Sequence, residues 1–335
     1  MRANHPIPTR ILAESSTVLI DPPFTALDAC WICGARALRP VHTAIFELSE
    51  YRRQDPELAA YTGATVSVVR CAACGFGQPA ALPALPGYFD RMYDQRWSAE
   101  WMEREFTLGY KDLIFRTVLH GLGRRTGGEV RARTLLDLGA HVGRLMHLAA
   151  AAGWTAEGVE LNPATSAYAA KATGLPVHRA DAARLSAEGR RYDAVTLVDV
   201  LEHIPDPVRM LETARGLVRP GGWIAVKVPH GAVQLRKEEL RARLRPGYRP
   251  TIADNLVHVN HFTPGSLTLA LAKAGFAEAA VGVAAPETLP ADAPARARLP
   301  GNAARLAAYG LGRIVPGGVH TLLGLHLQAY ARNPA

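Results

Sequence analysis

Apolar runs typical of β-strands alternate with longer, helix-like stretches from residue 134 to the end of the chain. Most of these runs are rich in Val, Leu, Ile or Ala and end in polar or small residues. Seven of them follow one another: TLLDLGA, TAEGVELN, LPVHRAD, YDAVTLVDVL, GGWIAVKVP, AEAAVGVAA and LLGLHLQAYAR. This alternation predicts an α/β fold with a doubly wound, Rossmann-like, seven-stranded sheet.

The first third of the chain has a different pattern. Residues 88–127 have aromatic and amphipathic helical character, and the sequence PAALPALPG before them is a proline-rich connector. We predict a loosely ordered N-terminus at 1–27, a small cysteine-containing domain at 28–79, a linker and helical cap at 80–127, and the α/β domain at 128–335 with a lid insertion at about 231–262. The Ala-, Pro- and Arg-rich segment 285–302 is predicted to be an exposed connector.

Composition excludes some classes of protein. The 335 residues are 48% hydrophobic and 20% charged, which is ordinary for a globular protein. No apolar run approaches the ~18 residues of a membrane span, and the first 25 residues lack the apolar core of a secretory signal. We therefore predict a cytoplasmic protein without a membrane partner.

The net charge of +8 is open to two interpretations. It indicates either solvated arginine-rich faces or an anionic partner such as nucleic acid or a phosphorylated small molecule. Because no block of consecutive basic residues occurs, we favour the first interpretation and expect no nucleic-acid partner.

All four cysteines occur in two C-x-x-C-G sequences, and none is left over. Cys30 and Cys33 form the first pair, and Cys71 and Cys74 form the second. Four thiolates in two tight turns suit a tetrahedral, structural Zn²⁺ site. Two disulfides or a redox pair are the alternatives, but a cytoplasmic chain disfavours structural disulfides and a redox motif needs no duplicate.

The segment LLDLGAHVGRL at 135–145 has the form of a cofactor loop between a strand and a helix. Glycine at 139 and 143 permits a tight turn and close approach of a ligand to the backbone, and the following helix offers free N–H groups. His141 occupies a position that is small in such loops. A histidine there crowds a pyrophosphate, whereas S-adenosylmethionine has no phosphate to place at that point.

Acidic residues follow the next two predicted strands. Glu160 lies 23 residues after Asp137, a spacing at which a carboxylate accepts both ribose hydroxyls, and Asp181 is in reach of an adenine amino group. Asp199 ends the fourth strand and is expected to line the methionine pocket. The predicted cofactor-binding residues are Asp137, Gly139, Ala140, His141, Gly143, Glu160, Leu161, Asp181, Ala182 and Asp199.

These motifs resemble those of the class I S-adenosylmethionine-dependent methyltransferases. LLDLGAHVGRL, GVELNP, ADA, YDAVTLVDVLEHIPDP and LVRPGGWIAVKVP follow one another in that family's order, and the match covers about residues 134–283. The resemblance implies S-adenosylmethionine as cofactor and a sheet whose last strand is antiparallel to the others. His141 departs from the family's usual glycine.

The N-terminal third extends the resemblance to bacterial methyltransferases with an N-terminal zinc ribbon and a tyrosine-rich helix. Some of these act on nucleotide-linked deoxysugars, and others belong to natural-product or surface-polysaccharide pathways. The resemblance implies that His203 and His258 lie in the acceptor site and that Tyr93 leans into it. Val257 stands where the sugar C-methyltransferases have a glutamate, which disfavours C-methylation relative to O- or N-methylation.

A hydroxyl acceptor must lose a proton during methyl transfer, and histidine is suited to accept it near neutral pH. His203 and His258 are the predicted catalytic bases, although His203 at this turn is equally expected to cap the following helix. Tyr93, His230 and His261 are the predicted substrate-binding residues.

The sequence therefore predicts a methyltransferase that acts on a small molecule, namely a sugar or a glycosylated intermediate. One alternative is an RNA methyltransferase whose zinc ribbon binds nucleic acid. The other is a protein that binds the cofactor without catalysis. The sequence leaves the acceptor atom and the oligomeric state open.

Overall fold

The computed structural model describes residues 23–93, 98–127, 133–245, 247–248, 250 and 258–334. No helix in these ranges has the length and apolar character that crossing a membrane requires. The N-terminal elements are β1 (Phe24–Ala26), β2 (Leu38–Ile45), α1 (Pro56–Ala59), β3 (Thr65–Cys71), β4 (Gly77–Pro79) and β5 (Ala81–Pro83). Strands β2, β3 and β4 form an antiparallel sheet, and β1 pairs with β5.

Strand β1 lies inside the segment that the sequence analysis left as loosely ordered. Its ordering has a local cause, because the Phe24 ring contacts the rings of Phe46 and Tyr61, with centroids 5.6 and 5.4 Å away. Residues 1–22 lie outside the described part of the chain. The order in residues 24–26 therefore depends on packing that no short-range pattern reveals.

Three helices connect this region to the large sheet. They are α2 (Tyr88–Tyr93), α3 (Ala99–Thr107) and α4 (Asp112–Arg125). The Ser98 hydroxyl caps α3 by accepting a hydrogen bond from the Trp101 N–H at 3.1 Å. Helix α4 buries Ile114, Val118 and Leu122, which are spaced four residues apart and therefore share one face.

The remaining elements alternate between strands and helices, except where α9 and α10 follow one another. They are β6 (Arg133–Leu138), α5 (Arg144–Ala151), β7 (Trp154–Val159), α6 (Pro163–Thr173), β8 (Val177–His178), α7 (Ala182–Ala187), β9 (Tyr192–Val198), α8 (Pro207–Leu217), β10 (Val218–Pro229), α9 (Gly231–Leu244), α10 (Pro264–Lys273), β11 (Ala277–Val283), α11 (Ala295–Ile314) and β12 (His326–Arg332). A short 3₁₀ turn, Leu201–His203, follows β9.

These strands form one seven-stranded sheet in the order β11-β12-β10-β9-β6-β7-β8. Strand β12 is antiparallel to β10 and β11, and the pairings among β6 to β10 are parallel. The predicted doubly wound, Rossmann-like sheet with an antiparallel last strand is confirmed. Its carboxyl edge is therefore where a ligand is expected to bind.

The cysteine-containing region shares its apolar core with this sheet. Cys30, Ile32, Cys71 and Phe76 belong to the same buried cluster as residues of β6, β9 and β10. The rings of Phe76 and Phe262 lie 5.1 Å apart, and both side chains are fully buried. The two predicted domains are thus packed together without a solvent layer at this contact.

Helix α11 begins inside the segment that the sequence analysis assigned to an exposed connector. Alanine, leucine and arginine dominate residues 295–314, and all three have high helix propensity. Pro300 lies within the helix, where it removes one backbone hydrogen bond. The prolines of this segment led to the prediction of a loop, whereas its last part, from Ala295 on, is helical.

Candidate active site

The glycine loop after β6 has the geometry that its sequence predicts. Gly139 has a φ of +78°, and a Cβ atom there would lie 2.5 Å from a methyl carbon of Val200. Gly143 has a φ of +81° and begins α5. Both positions therefore require glycine, and the exposed backbone at 139 leaves room for a ligand at the sheet edge.

His141 adopts the left-handed backbone that glycine usually takes at this point, with a φ of +51°. Its ring packs edge-on against Trp101, with ring centroids 5.2 Å apart. Burial, with a smaller contribution from the charge of Lys111, lowers the pKa of His141 to about 4, so the ring is neutral at pH 7. The neighbouring Ala140 is buried and donates its N–H to the carbonyl of Val159.

The predicted acidic residues lie at successive strand ends but have different surroundings. Glu160 accepts the N–H groups of His141 and Asn162 at 2.8 and 2.9 Å, and Leu161 beside it is exposed. Asp181 caps α7 by accepting the N–H of Ala183, and the adjoining Ala182 is buried.

Asp137 lies beneath the loop rather than at its open side. Its carboxylate accepts a hydrogen bond from the Thr196 hydroxyl at 2.7 Å, and burial raises its pKa to about 7.

S-adenosylmethionine fits these residues. The Glu160 carboxylate is fixed by two backbone N–H groups and keeps lone pairs for ribose hydroxyls. A side chain at 139 would collide with Val200, so the bare backbone of Gly139 is the surface that a ligand would meet.

A group of charged residues that the sequence analysis missed surrounds Asp199. Lys227, almost fully buried in β10, forms an ion pair with Asp199, and Lys111 lies 3.7 Å from the same carboxylate. Burial alone would raise the pKa of Asp199, but the two ammonium groups hold it well below its usual range. Asp199 is thus bound to lysines, beyond the predicted role of lining the methionine pocket.

The two predicted catalytic histidines lie side by side. The ring centroids of His203 and His258 are 4.7 Å apart, and a carboxylate oxygen of Glu202 and one nitrogen of each ring all lie within 4.8 Å of one another. Burial, followed by the charge of His203, lowers the pKa of His258 well below its usual value. Burial and the nearby Asp199 raise the pKa of Glu202 to about 8.

Backbone contacts hold the segment after residue 257 against the 3₁₀ turn. The N–H groups of Val259 and Asn260 donate to the carbonyl of Glu202 at 2.9 and 3.0 Å. The Asn260 side-chain amide donates to the carbonyls of Leu201 and Ile204, both at 2.7 Å. These bonds explain why His203 and His258, which are 55 positions apart in sequence, lie side by side.

Gln234 of α9 connects two of the predicted histidines. Its amide nitrogen lies 3.3 Å from Nδ1 of His258, and its amide oxygen lies 3.4 Å from Nδ1 of His261. Burial lowers the pKa of His261 to about 4.

His230 contacts a different element. Its Nε2 lies 3.0 Å from the carbonyl of Val319. The side chain of Tyr93, residues 251–257 and with them Val257 lie outside the described part of the chain.

Buried polar atoms without hydrogen-bond partners accumulate at this edge of the sheet. Among the described residues, eight buried side-chain atoms have no partner. Five of them belong to residues that follow β9 or β10, begin β12, or lie in the 258–262 segment: Asp199 Oδ2, Glu202 Oε2, His230 Nδ1, Asn260 Oδ1 and His326 Nδ1. Because unpaired buried polar atoms are costly, their concentration indicates a site that a polar ligand completes.

The four cysteines converge as their spacing predicts. Sγ of Cys30 lies 3.6 Å from that of Cys74, Sγ of Cys33 lies 3.5 Å from that of Cys71, and all four cysteines are free thiols. The four sulfur atoms lie within 4.8 Å of one another, which fits four thiolates around one tetrahedral ion with bonds of ~2.3 Å.

This cysteine cluster is joined to the histidine segment by backbone hydrogen bonds. Gly77 and His261 exchange two of them, at 3.0 and 2.8 Å. A Cβ atom on Gly77 would lie 3.0 Å from the side chains of His261 and Leu235, so the two backbones approach closely.

Comparisons with known proteins identify the family of the α/β part of the chain. The family model described as "Methyltransferase domain" matches residues 110–280. The ubiquinone biosynthesis O-methyltransferases of Paraburkholderia xenovorans and Bordetella pertussis are each 33% identical to this chain, over 102 and 107 residues. These matches cover 29% and 30% of this chain and 44% of each relative, so the chain spans less than half the length of these curated relatives.

Solved structures with related folds have low sequence identity to this chain. An S-adenosylmethionine-dependent methyltransferase from Mesorhizobium loti is 22% identical and has a TM-score of 0.44, covering 67% of this chain and all of that one. A methyltransferase-related structure from Haloferax volcanii, solved as a complex with the Trm112 activator, is 17% identical with a TM-score of 0.48. That match covers 70% of this chain and 97% of the other.

Proposed function

Because the chain belongs to the methyltransferase-domain family and is a class I S-adenosylmethionine-dependent methyltransferase, we propose that its acceptor is a hydroxyl group of a polyhydroxylated small molecule. The acceptor class is a sugar or a glycosylated intermediate. The observation that carries this proposal is the set of five buried polar atoms without a hydrogen-bond partner among the described residues at the carboxyl edge of the sheet. An acceptor with several hydroxyls, each of which both donates and accepts, supplies a partner to a carboxylate, a protonated carboxyl group, an amide oxygen or an imidazole.

The names of the relatives support transfer to oxygen. Both describe O-methyltransferases in ubiquinone biosynthesis. The acceptor of this chain is proposed to differ from theirs, because its site combines the buried Lys227 and Glu202 with the partly buried Asp199. Such a lining favours a ligand rich in hydroxyl groups.

The proposed mechanism gives the two histidines different roles. Bound S-adenosylmethionine supplies an electrophilic methyl group, with Glu160 holding its ribose and the backbone of Gly139 facing it. The amide nitrogen of Gln234 donates to Nδ1 of His258, which places the ring proton of that neutral histidine on Nε2. His258 therefore orients the acceptor by donation, and His203 removes the hydroxyl proton.

Glu202 supplies a carboxyl group beside the histidine pair, where position 257 has none. Its raised pKa keeps it protonated at neutral pH. A protonated carboxyl group donates a hydrogen bond without adding a negative charge near the departing proton.

The four cysteines are proposed to hold a structural Zn²⁺ ion. Four thiolates close the tetrahedron and leave no position for a substrate. The expected content is one zinc per chain, measured by atomic absorption on protein purified without chelators. A metal-free preparation of full activity and full thermal stability would contradict this assignment.

The histidine roles are tested by single substitutions. We expect His203→Asn to lower kcat about 10²- to 10⁴-fold with calorimetric binding of S-adenosylmethionine unchanged, the range typical of a lost general base. His258→Asn is expected to raise KM for the acceptor more than it lowers kcat. His120→Asn, on the exposed side of α4, is the matched control and should behave as the wild type.

Turnover is measured as S-adenosylhomocysteine release on a panel of nucleotide sugars and simple phenols. Turnover on phenols alone would overturn the proposed acceptor class while leaving the methyltransferase intact. Full turnover of the His203→Asn variant would overturn its role as the base.

A further inference from the structure

Helix α11 exposes four large apolar side chains to solvent and turns several polar side chains towards the protein. Leu299, Leu306, Leu311 and Ile314 are 66%, 43%, 52% and 79% exposed, and helical spacing places them on one broad side, hereafter the apolar α11 face. This is the reverse of the usual arrangement of a surface helix.

The polar residues of α11 are used to attach the helix to the rest of the fold. Arg298 donates to the carbonyl of Ala291 at 2.6 Å, and Arg305 donates to that of Glu287 at 3.0 Å. The Asn302 side-chain oxygen accepts the N–H of Leu289 at 2.6 Å. These contacts fix the rotation of α11 about its axis, so its leucines point away from the core.

Exposed apolar side chains are concentrated in this part of the molecule. Ten large hydrophobic residues are exposed among the described ones, and seven of these fall between positions 299 and 325. The three outside the apolar α11 face are Val315, at the end of the helix, and Leu322 and Leu325, which precede β12. Scattered exposed leucines are ordinary, but several on one helix mark a surface that meets an apolar partner.

The chain segment that carries this surface is basic. Residues 293–335 contain no Asp or Glu, whereas Arg296 and Arg313 are exposed near the two ends of α11. Within the described residues, none of the four arginines of the helix forms an ion pair with a carboxylate. A partner that is apolar inside and negatively charged at its surface complements this arrangement.

A second copy of this chain does not satisfy that description. In a two-fold contact the same surface is present on both sides, so Arg296 and Arg313 would meet arginines and no acidic residue of the segment would offset them. Each copy also carries a net charge of +8. Charge complementarity therefore points to an anionic lipid surface.

We propose that the apolar α11 face, with Arg296 and Arg313, docks the protein on a bilayer that contains anionic lipids. The leucines enter the boundary between head groups and acyl chains, and the arginines remain at the level of the phosphates. This contact is peripheral, and it changes the expectation from sequence that the protein has no membrane partner.

The surface also lies beside the acceptor site. The carbonyl of Leu325 accepts the N–H of His230 at 3.1 Å, and the carbonyl of Val319 contacts the ring of the same residue. Docking through α11 would therefore hold the carboxyl edge of the sheet close to the lipid. The docking itself does not depend on which acceptor the enzyme methylates.

The test is co-sedimentation of the full-length protein with sucrose-loaded vesicles. We expect binding to vesicles of phosphatidylcholine with 40% phosphatidylglycerol, and ~5-fold weaker binding for each arginine neutralised in Arg296→Gln and Arg313→Gln. Leu306→Asn combined with Ile314→Asn should reduce binding at least tenfold. Leu244→Asn, at an equally exposed leucine of α9, is the matched control and should bind as the wild type.

Circular dichroism and thermal unfolding establish that the variants fold, and the assay requires no methyl transfer. Absence of wild-type binding to anionic vesicles would overturn the proposal, as would equal loss in the Leu244→Asn control. A dimer in light scattering that the Leu306→Asn and Ile314→Asn variant converts to monomer would identify a second copy as the occupant instead.

Discussion

At the scale of single residues, His141 is the position where the cofactor loop departs most from its expected form. Its left-handed backbone costs on the order of 1 kcal/mol more for histidine than for glycine. The hydrogen bond to Glu160 uses the main-chain N–H and so does not depend on the side chain. The backbone arrangement of the predicted cofactor loop is therefore kept despite the unusual side chain.

We expect His141→Gly to bind S-adenosylmethionine as the wild type or more tightly. Glycine relieves the backbone strain, while the loss of packing against Trp101 offsets part of that gain. Isothermal titration calorimetry measures the affinity. A loss of more than tenfold would show that the imidazole itself contacts the cofactor, and Trp101→Leu separates the packing contribution.

The same variant should also change how stability depends on pH. The pKa of His141 is about 4 in the folded protein because the ring is buried, and it is near 6.5 in the unfolded chain. The unfolded state therefore binds more protons between these values, and the contribution of His141 to stability is lost as pH falls from about 6.5 towards 4.

The His141→Gly variant has no imidazole at this position and therefore lacks this pH-dependent loss of stability. We expect its free energy of unfolding, relative to the wild type, to rise by on the order of 1 kcal/mol from pH 7 to pH 5 in urea titrations. A pH-independent difference would contradict the assigned burial.

At the scale of elements, the segment after residue 257 gains its position from the 3₁₀ turn that carries Glu202 and His203. Asn260→Ala removes two hydrogen bonds, so that the Ile204 carbonyl loses its side-chain donor and the Leu201 carbonyl keeps only the long contact from the Ile204 N–H at 3.5 Å. We expect a loss of about 1–3 kcal/mol in stability, together with a fall in kcat as His258 leaves His203.

Asn333→Ala is the control for this prediction. Its side-chain amide donates to the carbonyl of Val218 at 2.7 Å, at the end of the sheet away from the histidines. We expect a similar loss of stability, measured by thermal unfolding, with activity retained at low temperature. Equal loss of activity in both variants would show that Asn260 acts through stability alone.

The strands could be predicted from the sequence, whereas some residues of the candidate site could not. Alternating apolar runs identified all seven strands of the large sheet, because a buried strand must be apolar on both faces. Lys227 was missed although it interrupts the run GGWIAVKVP, and Lys111, which contacts the same Asp199 carboxylate, is more than a hundred positions away. Glu202 was treated only as part of the LEH turn, because its meeting with His258 depends on long-range contacts.

The orientation of α11 likewise follows from contacts of its arginines with residues 287–291.

At the scale of the whole molecule, the cysteine cluster and the histidine segment are parts of one packed structure. We expect removal of metal by a strong chelator to lower the melting temperature and to reduce activity, because the cysteine-bearing turn leads directly into Phe76 and Gly77. Differential scanning calorimetry with and without added zinc measures the first effect. Cys30→Ser is expected to reproduce both effects, whereas Ser49→Ala, on the exposed side of the same region, should have neither.

The pairing of Gly77 with His261 has a consequence for how this chain can change over time or be recombined. An N-terminal region taken from another enzyme must carry glycine at 77 and an aromatic ring that packs on Phe262. Otherwise the histidines proposed to bind the acceptor move. The two ends of this contact are therefore expected to vary together among descendants of the same ancestor. In a chimera, the crossover point should therefore lie after residue 262. A crossover in the proline-rich connector would take Gly77 and His261 from different parents.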